Sequence, residues 1–304
     1  MSQLYFVLTR RCNQFCTSCP RHQEERIADE KYQNVKGRLF HTLEKFDVDD
    51  LILSGGEPAL YREFPELIRE LDRYDVPVMV QSNGQRFSER LFSERCFRDC
   101  RHEFHVMTAL HSRNASLHDQ ITGVPGSFER AVEAIHNLLA LHVRITVKCI
   151  LSRLNVLGLP EYLSWLAEEF RGEVELCVSG MDYIGMSSQE KKEYMLDYAD
   201  VAGPLRDSVQ WYEENRSGLR NLVLIELPLC MLEKRYWNYF RNTRVGEQLY
   251  QDAYMNYPAR RWHDFTTDYA ECGMCAVRER CPGVWSEQYK LYPGSCVAPV
   301  VAEN

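Results

Sequence analysis

The sequence predicts an α/β protein: a parallel sheet wound into a partial (β/α)6 barrel, with a small cysteine-rich unit after it. Three observations predict this. Short apolar runs alternate with amphipathic stretches through roughly the first 185 residues. That rhythm breaks near residue 185, which divides the chain into 1–185 and 186–304. Cysteines gather in two clusters, one near each end of the chain.

Taken in order, residues 4–8, 51–53, 76–81, 104–110, 143–151 and 174–178 read as strands. They are short apolar runs, as strands buried on both faces require. Between them, 64–74, 127–141 and 160–170 carry helical periodicity. Pro65 suits a first helical turn, and Ser127 with Glu129 reads as a cap and an acidic first turn. Six strand–helix steps imply right-handed crossovers and a sheet two steps short of a closed barrel. Residues 187–220 look helical and charged, 222–227 form a further strand candidate, and 230–265 are rich in aromatics and arginine.

With 44 acidic against 36 basic residues the net charge is −8, which disfavours non-specific nucleic-acid binding. No apolar run approaches the roughly 20 residues of a membrane span, and the first residues have no signal-peptide pattern. A cytosolic location follows as an expectation, and there clustered cysteines read as metal ligands. Of the 12 cysteines, Cys149 and Cys177 are expected to pack as small hydrophobes in strands. Cys96 and Cys100 are expected at the end of a surface helix.

Directly after the first strand stand Cys12, Cys16 and Cys19, a CxxxCxxC pattern. Three thiolates on one loop can each bind a different iron of a [4Fe-4S] cubane, leaving the fourth iron open. An open position is what a catalytic metal centre needs. The amine and carboxylate of S-adenosylmethionine (SAM) can chelate it. One electron then splits the sulfonium, and the 5′-deoxyadenosyl radical removes hydrogen from a substrate. The competing reading is zinc, with His22 as a fourth ligand.

Further motifs follow in order. Ser54-Gly55-Gly56-Glu57-Pro58 closes the second strand, and Gln81-Ser82-Asn83-Gly84 closes the third. His111 ends the fourth strand, before His118-Asp119-Gln120-Ile121-Thr122-Gly123. Arg153 and Asn155 follow the fifth, and Asp182 and Tyr183 follow the sixth. Together these resemble the radical SAM superfamily. The resemblance implies that Gly55, Gly56, Glu57 and Pro58 meet the methionyl end of SAM. It implies that Ser82, Asn83, His111 and Arg153 lie around the carboxylate and ribose. Read as residues alone, GGEP and Asn-Gly are also ordinary turns, and His111 is also an ordinary surface histidine. Ligands sit at the carboxyl ends of parallel strands, so Asp182 and Tyr183 are expected to contact substrate. The family often has an aromatic residue before the third cysteine; here Ser18 stands there and Phe15 precedes Cys16.

Near the C-terminus Cys272, Cys275 and Cys281 form CxxCx5C, with Cys230 upstream and Cys296 downstream. This is similar to the auxiliary-cluster extension called SPASM, or twitch when shortened. The resemblance implies a second [4Fe-4S] cluster on Cys230, Cys272, Cys275 and Cys281, with Cys296 in reserve. A four-cysteine zinc knuckle fits the same spacing.

The segments LILSGGEPAL, HDQITGVPGSF, LPLCMLEKRYW and ECGMCAVRERCPGVW resemble the His-Xaa-Ser system peptide maturases. That resemblance implies a ribosomally made precursor peptide as substrate, modified oxidatively or crosslinked. The one-electron chemistry of the cluster predicts a flavodoxin- or ferredoxin-type electron donor. With the first strand beginning at Leu4, a leader peptide is expected to be read by a separate protein or by the C-terminal part. Two other readings stand beside this one. The first is a twitch-type enzyme acting on a sugar, cyclitol or nucleotide. The second is a non-enzymatic metal scaffold.

Overall fold

In the computed structural model, the described residues are 2–19, 28–181, 186–241, 247–253, 255, 258–261, 266–267, 269–293 and 299–300. Asp182, Tyr183, His22 and Cys296 lie outside them.

Strands and helices alternate through the first two thirds of the chain. The order is β1 (Ser2–Thr9), α1 (Tyr32–Lys45), β2 (Asp50–Gly55), α2 (Phe64–Leu71), β3 (Val78–Ser82), α3 (Arg90–Phe97) and β4 (His105–Ala109). Then come α4 (Ala115–Thr122), α5 (Ser127–Leu139), β5 (Arg144–Ile150), α6 (Leu159–Glu169), β6 (Glu175–Ser179), α7 (Ser188–Tyr194), α8 (Tyr198–Glu214) and β7 (Asn221–Ile225). The remainder holds the short strands β8 (Phe240–Arg241), β9 (Glu247–Asp252), β10 (Ala259–Arg261), β11 (Thr266–Thr267) and β12 (Val284–Trp285), and α9 (Ser286–Leu291).

Among the described residues, ten strands make one sheet in the order β10-β9-β1-β2-β3-β4-β5-β6-β7-β8. All neighbours pair in parallel except β10, which runs antiparallel to β9. The expected partial barrel is therefore present but larger than six strands. Four strands from beyond residue 185 join it, two on each edge. β9 escaped the periodicity reading because its sequence EQLYQD carries too few apolar residues to stand out. Polar ties hold it: Arg10 pairs with Asp252 at 3.0 Å, and Thr42 Oγ1 donates to Gln251 Oε1 at 2.8 Å.

Side-chain alternation divides each strand. Leu4, Phe6 and Leu8 of β1, Leu51 and Leu53 of β2, and Ile145 and Val147 of β5 enter one continuous core with the helices. Each such side chain contributes about 1.5–3 kcal/mol of burial. The alternate positions face the barrel interior. There Tyr5 Oη, Ser54 Oγ and Gln81 Oε1 form a triangle with sides of 2.6, 3.1 and 3.0 Å. α2 carries Pro65 in its first turn, as expected. α5 differs: Gly126 is its cap and Ser127 its first residue. The capping acceptor comes from Asp119 instead, which takes the N–H of Gly126 at 2.5 Å and of Phe128 at 2.9 Å.

Candidate active site

The loop after β1 carries Cys12, Cys16 and Cys19, all half-buried. Two contacts seat it on α4: the N–H groups of Phe15 and Thr17 donate to the carbonyls of Thr122 and Ile121, both at 2.9 Å. Those carbonyls belong to the helix C-terminus, where acceptors lack intrahelical partners. The HDQITG segment thus acts as the seat of the cysteine loop. Asp119 fixes it further by accepting from Ser127 Oγ at 2.8 Å.

The loop after β2 packs against the same turn. Gly56 N–H donates to Thr9 O at 2.8 Å, and Glu57 N–H to Arg11 O at 2.7 Å. A Cβ on Gly55 would collide with the Thr9 carbonyl, and one on Gly56 with the Arg11 carbonyl. The backbone approach these glycines permit is therefore to the cysteine loop. Glu57 is 0 % exposed. It accepts from Ala59 N–H at 2.9 Å, Ser82 Oγ at 2.8 Å and Asn83 N–H at 2.6 Å. Its carboxylate joins the loops after β2 and β3, where the resemblance implies contact with the methionyl end of SAM. Burial pushes its pKa up to about 7, against the lowering effect of the Asn83, Ala59 and Ser82 donors. Pro58 opens the short turn Pro58–Leu60 that Glu57 caps.

Asn83 reaches the cysteine loop directly. Its Nδ2 donates to Asn13 Oδ1 at 2.7 Å and lies 3.8 Å from Cys12 Sγ. Gln14 N–H adds a contact to Cys12 Sγ at 3.5 Å. Burial pushes the Cys16 thiol far up, and the neighbouring Cys19 and Cys12 sulfurs add to this.

The structure places the other expected residues differently. His111 is enclosed at 2 % exposure, with Nδ1 accepting from Ile150 N–H at 3.4 Å. Its ring stacks on His118, whose Nδ1 accepts the His111 N–H at 3.1 Å. Asn155 ties this region together, donating to the carbonyls of His111 and Ile150 at 3.1 and 2.9 Å. Arg153 points outward and clasps the C-terminal segment, donating to Tyr292 Oη at 2.7 Å and Lys192 O at 3.2 Å. Cys149 packs in the core, as expected, whereas Cys177 faces the barrel interior. Cys100 Sγ donates to Cys96 O at 3.3 Å at the end of α3.

At the other end, Cys230, Cys272, Cys275 and Cys281 line one pocket, together with Pro228 and Arg278. The N–H groups of Leu229 and Gly283 reach Cys281 Sγ at 3.5 and 3.4 Å. No disulfide joins any of the described cysteines. No three His, Cys, Asp or Glu side chains among the described residues converge tightly enough for a single metal ion. A cubane does not require that convergence, since each thiolate meets its own iron. The donor sets fit: three thiols on a loop with N–H groups aimed at sulfur, and four thiols around a cavity.

The radical SAM superfamily matches this chain over residues 6–161, a little over half of it. The chain belongs to the radical SAM superfamily. Members of this family use a [4Fe-4S] cluster and SAM. Mycofactocin maturase MftC from Mycobacterium tuberculosis is 28% identical over 160 residues, covering 52% of this chain and 40% of the maturase. Fe-coproporphyrin III synthase from Methanosarcina barkeri is 21% identical over 187 residues, covering 61% of this chain and 45% of the synthase. The chain thus matches less than half the length of each of these two relatives. Streptococcus suis SuiB, solved bound to the precursor peptide SuiA, superposes with TM-score 0.68 at 11% identity. That superposition covers 99% of this chain and 75% of SuiB, and it extends the shared fold through the C-terminal segment.

Proposed function

We propose that this radical SAM chain oxidatively modifies or crosslinks a ribosomally made peptide. One observation carries the reading: a three-thiol loop at the rim of the barrel and a four-thiol cavity stand in one chain. The similarity to a mycofactocin maturase and to a peptide-bound SuiB supports it.

On this reading Cys12, Cys16 and Cys19 hold the catalytic cluster, and Cys230, Cys272, Cys275 and Cys281 hold the auxiliary one. When bound, the first cluster with SAM supplies hydrogen-atom abstraction. The chain's own residues do the rest. The 55–58 turn and Ser82–Asn83 frame the methionyl end, with Glu57 fixing the two loops to each other. His111 and Arg153 lie farther around the rim, and Asp182 and Tyr183 are proposed on the substrate side. Residues 1–185 supply the SAM half and 186–304 the auxiliary cluster and the closing strands. A flavodoxin- or ferredoxin-type donor, a separate leader-binding protein and a cytoplasmic setting complete the proposal. No helix among the described residues is long and apolar enough to cross a membrane.

Two experiments test it. Anaerobic reconstitution with iron, sulfide, SAM and dithionite is expected to yield 5′-deoxyadenosine, and none formed would refute the catalytic cluster. Co-expression with a short precursor peptide encoded beside the gene is expected to lower the peptide mass by two hydrogens per modification. An unchanged mass, with turnover of a sugar or nucleotide, would favour the small-molecule reading.

A further inference from the structure

Inside the barrel, away from the cysteine loop, lies a charged pair that none of the motifs absorbs. Lys148 of β5 stands beside Cys177 of β6 in the sheet register, and Glu226, just past β7, is held by Ser179 at the end of the same β6; Tyr5 of β1 lies within electrostatic reach. β1 and β5 stand four places apart in the sheet, so Tyr5 and Lys148 meet only across the interior. The β5 alternation agrees, since Ile145, Val147 and Cys149 all enter the helix-side core.

The Lys148 ammonium makes no hydrogen bond or ion pair among the described residues. Burial alone would lower its pKa, but Glu226, with Cys177 and Tyr5, holds it above its ordinary value. It is a half-buried charged donor inside the barrel with no direct acceptor among the described residues, open to a ligand that offers one.

Glu226 is equally constrained. Its φ is +58°, left-handed backbone that a side chain rarely adopts. Gly180 presses against it from β6, and a Cβ there would collide with the Glu226 carbonyl. The strained turn directs the carboxylate inward, where Oε2 accepts from Ser179 Oγ at 2.7 Å. An anchored acceptor and an uncommitted donor thus share the β5–β7 side. The cysteine loop, Glu57 and Asn83 occupy the β1–β3 side.

We propose that Lys148 and Glu226 clamp one amide group of the substrate, the ammonium donating to its carbonyl oxygen and the carboxylate accepting its N–H. A free carboxylate would satisfy Lys148 but be repelled by Glu226, and a free cation the reverse. A neutral amide offers both partners at once. This deepens the peptide reading and rests on it for the identity of the substrate.

The test uses the full-length, cluster-loaded protein with SAM and the probe N-acetylglycinamide at millimolar concentration, followed by saturation-transfer NMR. Acetate and methylammonium are the comparators. The amide is expected to bind at least about tenfold more tightly than either ion, and Lys148→Met and Glu226→Gln are each expected to weaken it about tenfold. SAM affinity should stay within about twofold. Glu226→Gly separates folding from recognition: it relieves the left-handed strain, so thermal stability should rise while amide binding is lost. Amide binding that is absent from the parent protein, equal in the variants, or matched by acetate or methylammonium would overturn the clamp. Amide binding as expected without 5′-deoxyadenosine formation would leave the clamp standing and remove the radical reading.

Discussion

The Glu57 carboxylate accepts the Asn83 N–H at 2.6 Å, so the turns after β2 and β3 are locked together behind the cysteine loop. Glu57→Gln keeps the shape but turns an acceptor into a donor facing a backbone N–H that cannot rotate away. The variant should lose about 1–3 kcal/mol of stability, measured by urea denaturation. Its SAM affinity should fall as well. Unchanged stability would show that the lock is dispensable.

A second prediction concerns acid. Burial lowers the pKa of His105 to about 4, His111 to about 3 and His118 to about 4. All three are therefore neutral in the fold and take up protons first on unfolding. Their contribution is fully present above the unfolded value of about 6.5 and is lost as pH falls toward about 4. His118→Asn keeps an acceptor for the His111 N–H and removes one titrating group. The pH slope of unfolding free energy should drop by about 1.4 kcal/mol per pH unit across that window. A slope equal to that of the parent chain would refute the assignment.

Asp119 gives a third. It gathers the N–H groups of Gly126 and Phe128 and the hydroxyl of Ser127. Asp119→Ala should cost about 2–3 kcal/mol. Because the same segment seats Phe15 and Thr17, iron retention at the first cluster should fall with it. Destabilisation with full iron content would separate the two roles.

The two cysteine sets should separate by readout. Cys16→Ala should abolish 5′-deoxyadenosine formation, while Cys281→Ser should preserve it, lose about half of the iron and fail to modify a peptide. Loss of 5′-deoxyadenosine in Cys281→Ser would place both sets in one functional unit.

Much of this was legible in the sequence. The cysteine spacings, the apolar strand runs and the GGEP turn report local chemistry, and the chain keeps them local. Long-range partners were harder to read. Glu57 looks like a ligand-facing acid until Ser82 and Asn83 are brought against it. Arg153 lies at a strand end, where ligands sit, yet Tyr292 draws it outward. Lys148 is a cation inside a largely apolar strand, and its meaning depends on Glu226, 78 residues later. β9 left almost none, because it is recognised by pairing with β1 and not by composition.

That pairing has a consequence for synthesis. β1 leaves the ribosome long before its outer neighbour in the sheet, Glu247–Asp252. During most of elongation the nascent barrel carries an open, apolar edge, the kind of surface that recruits chaperones or mispairs with a second chain. A chain stopped before residue 247 should therefore aggregate even with its first cysteine loop intact.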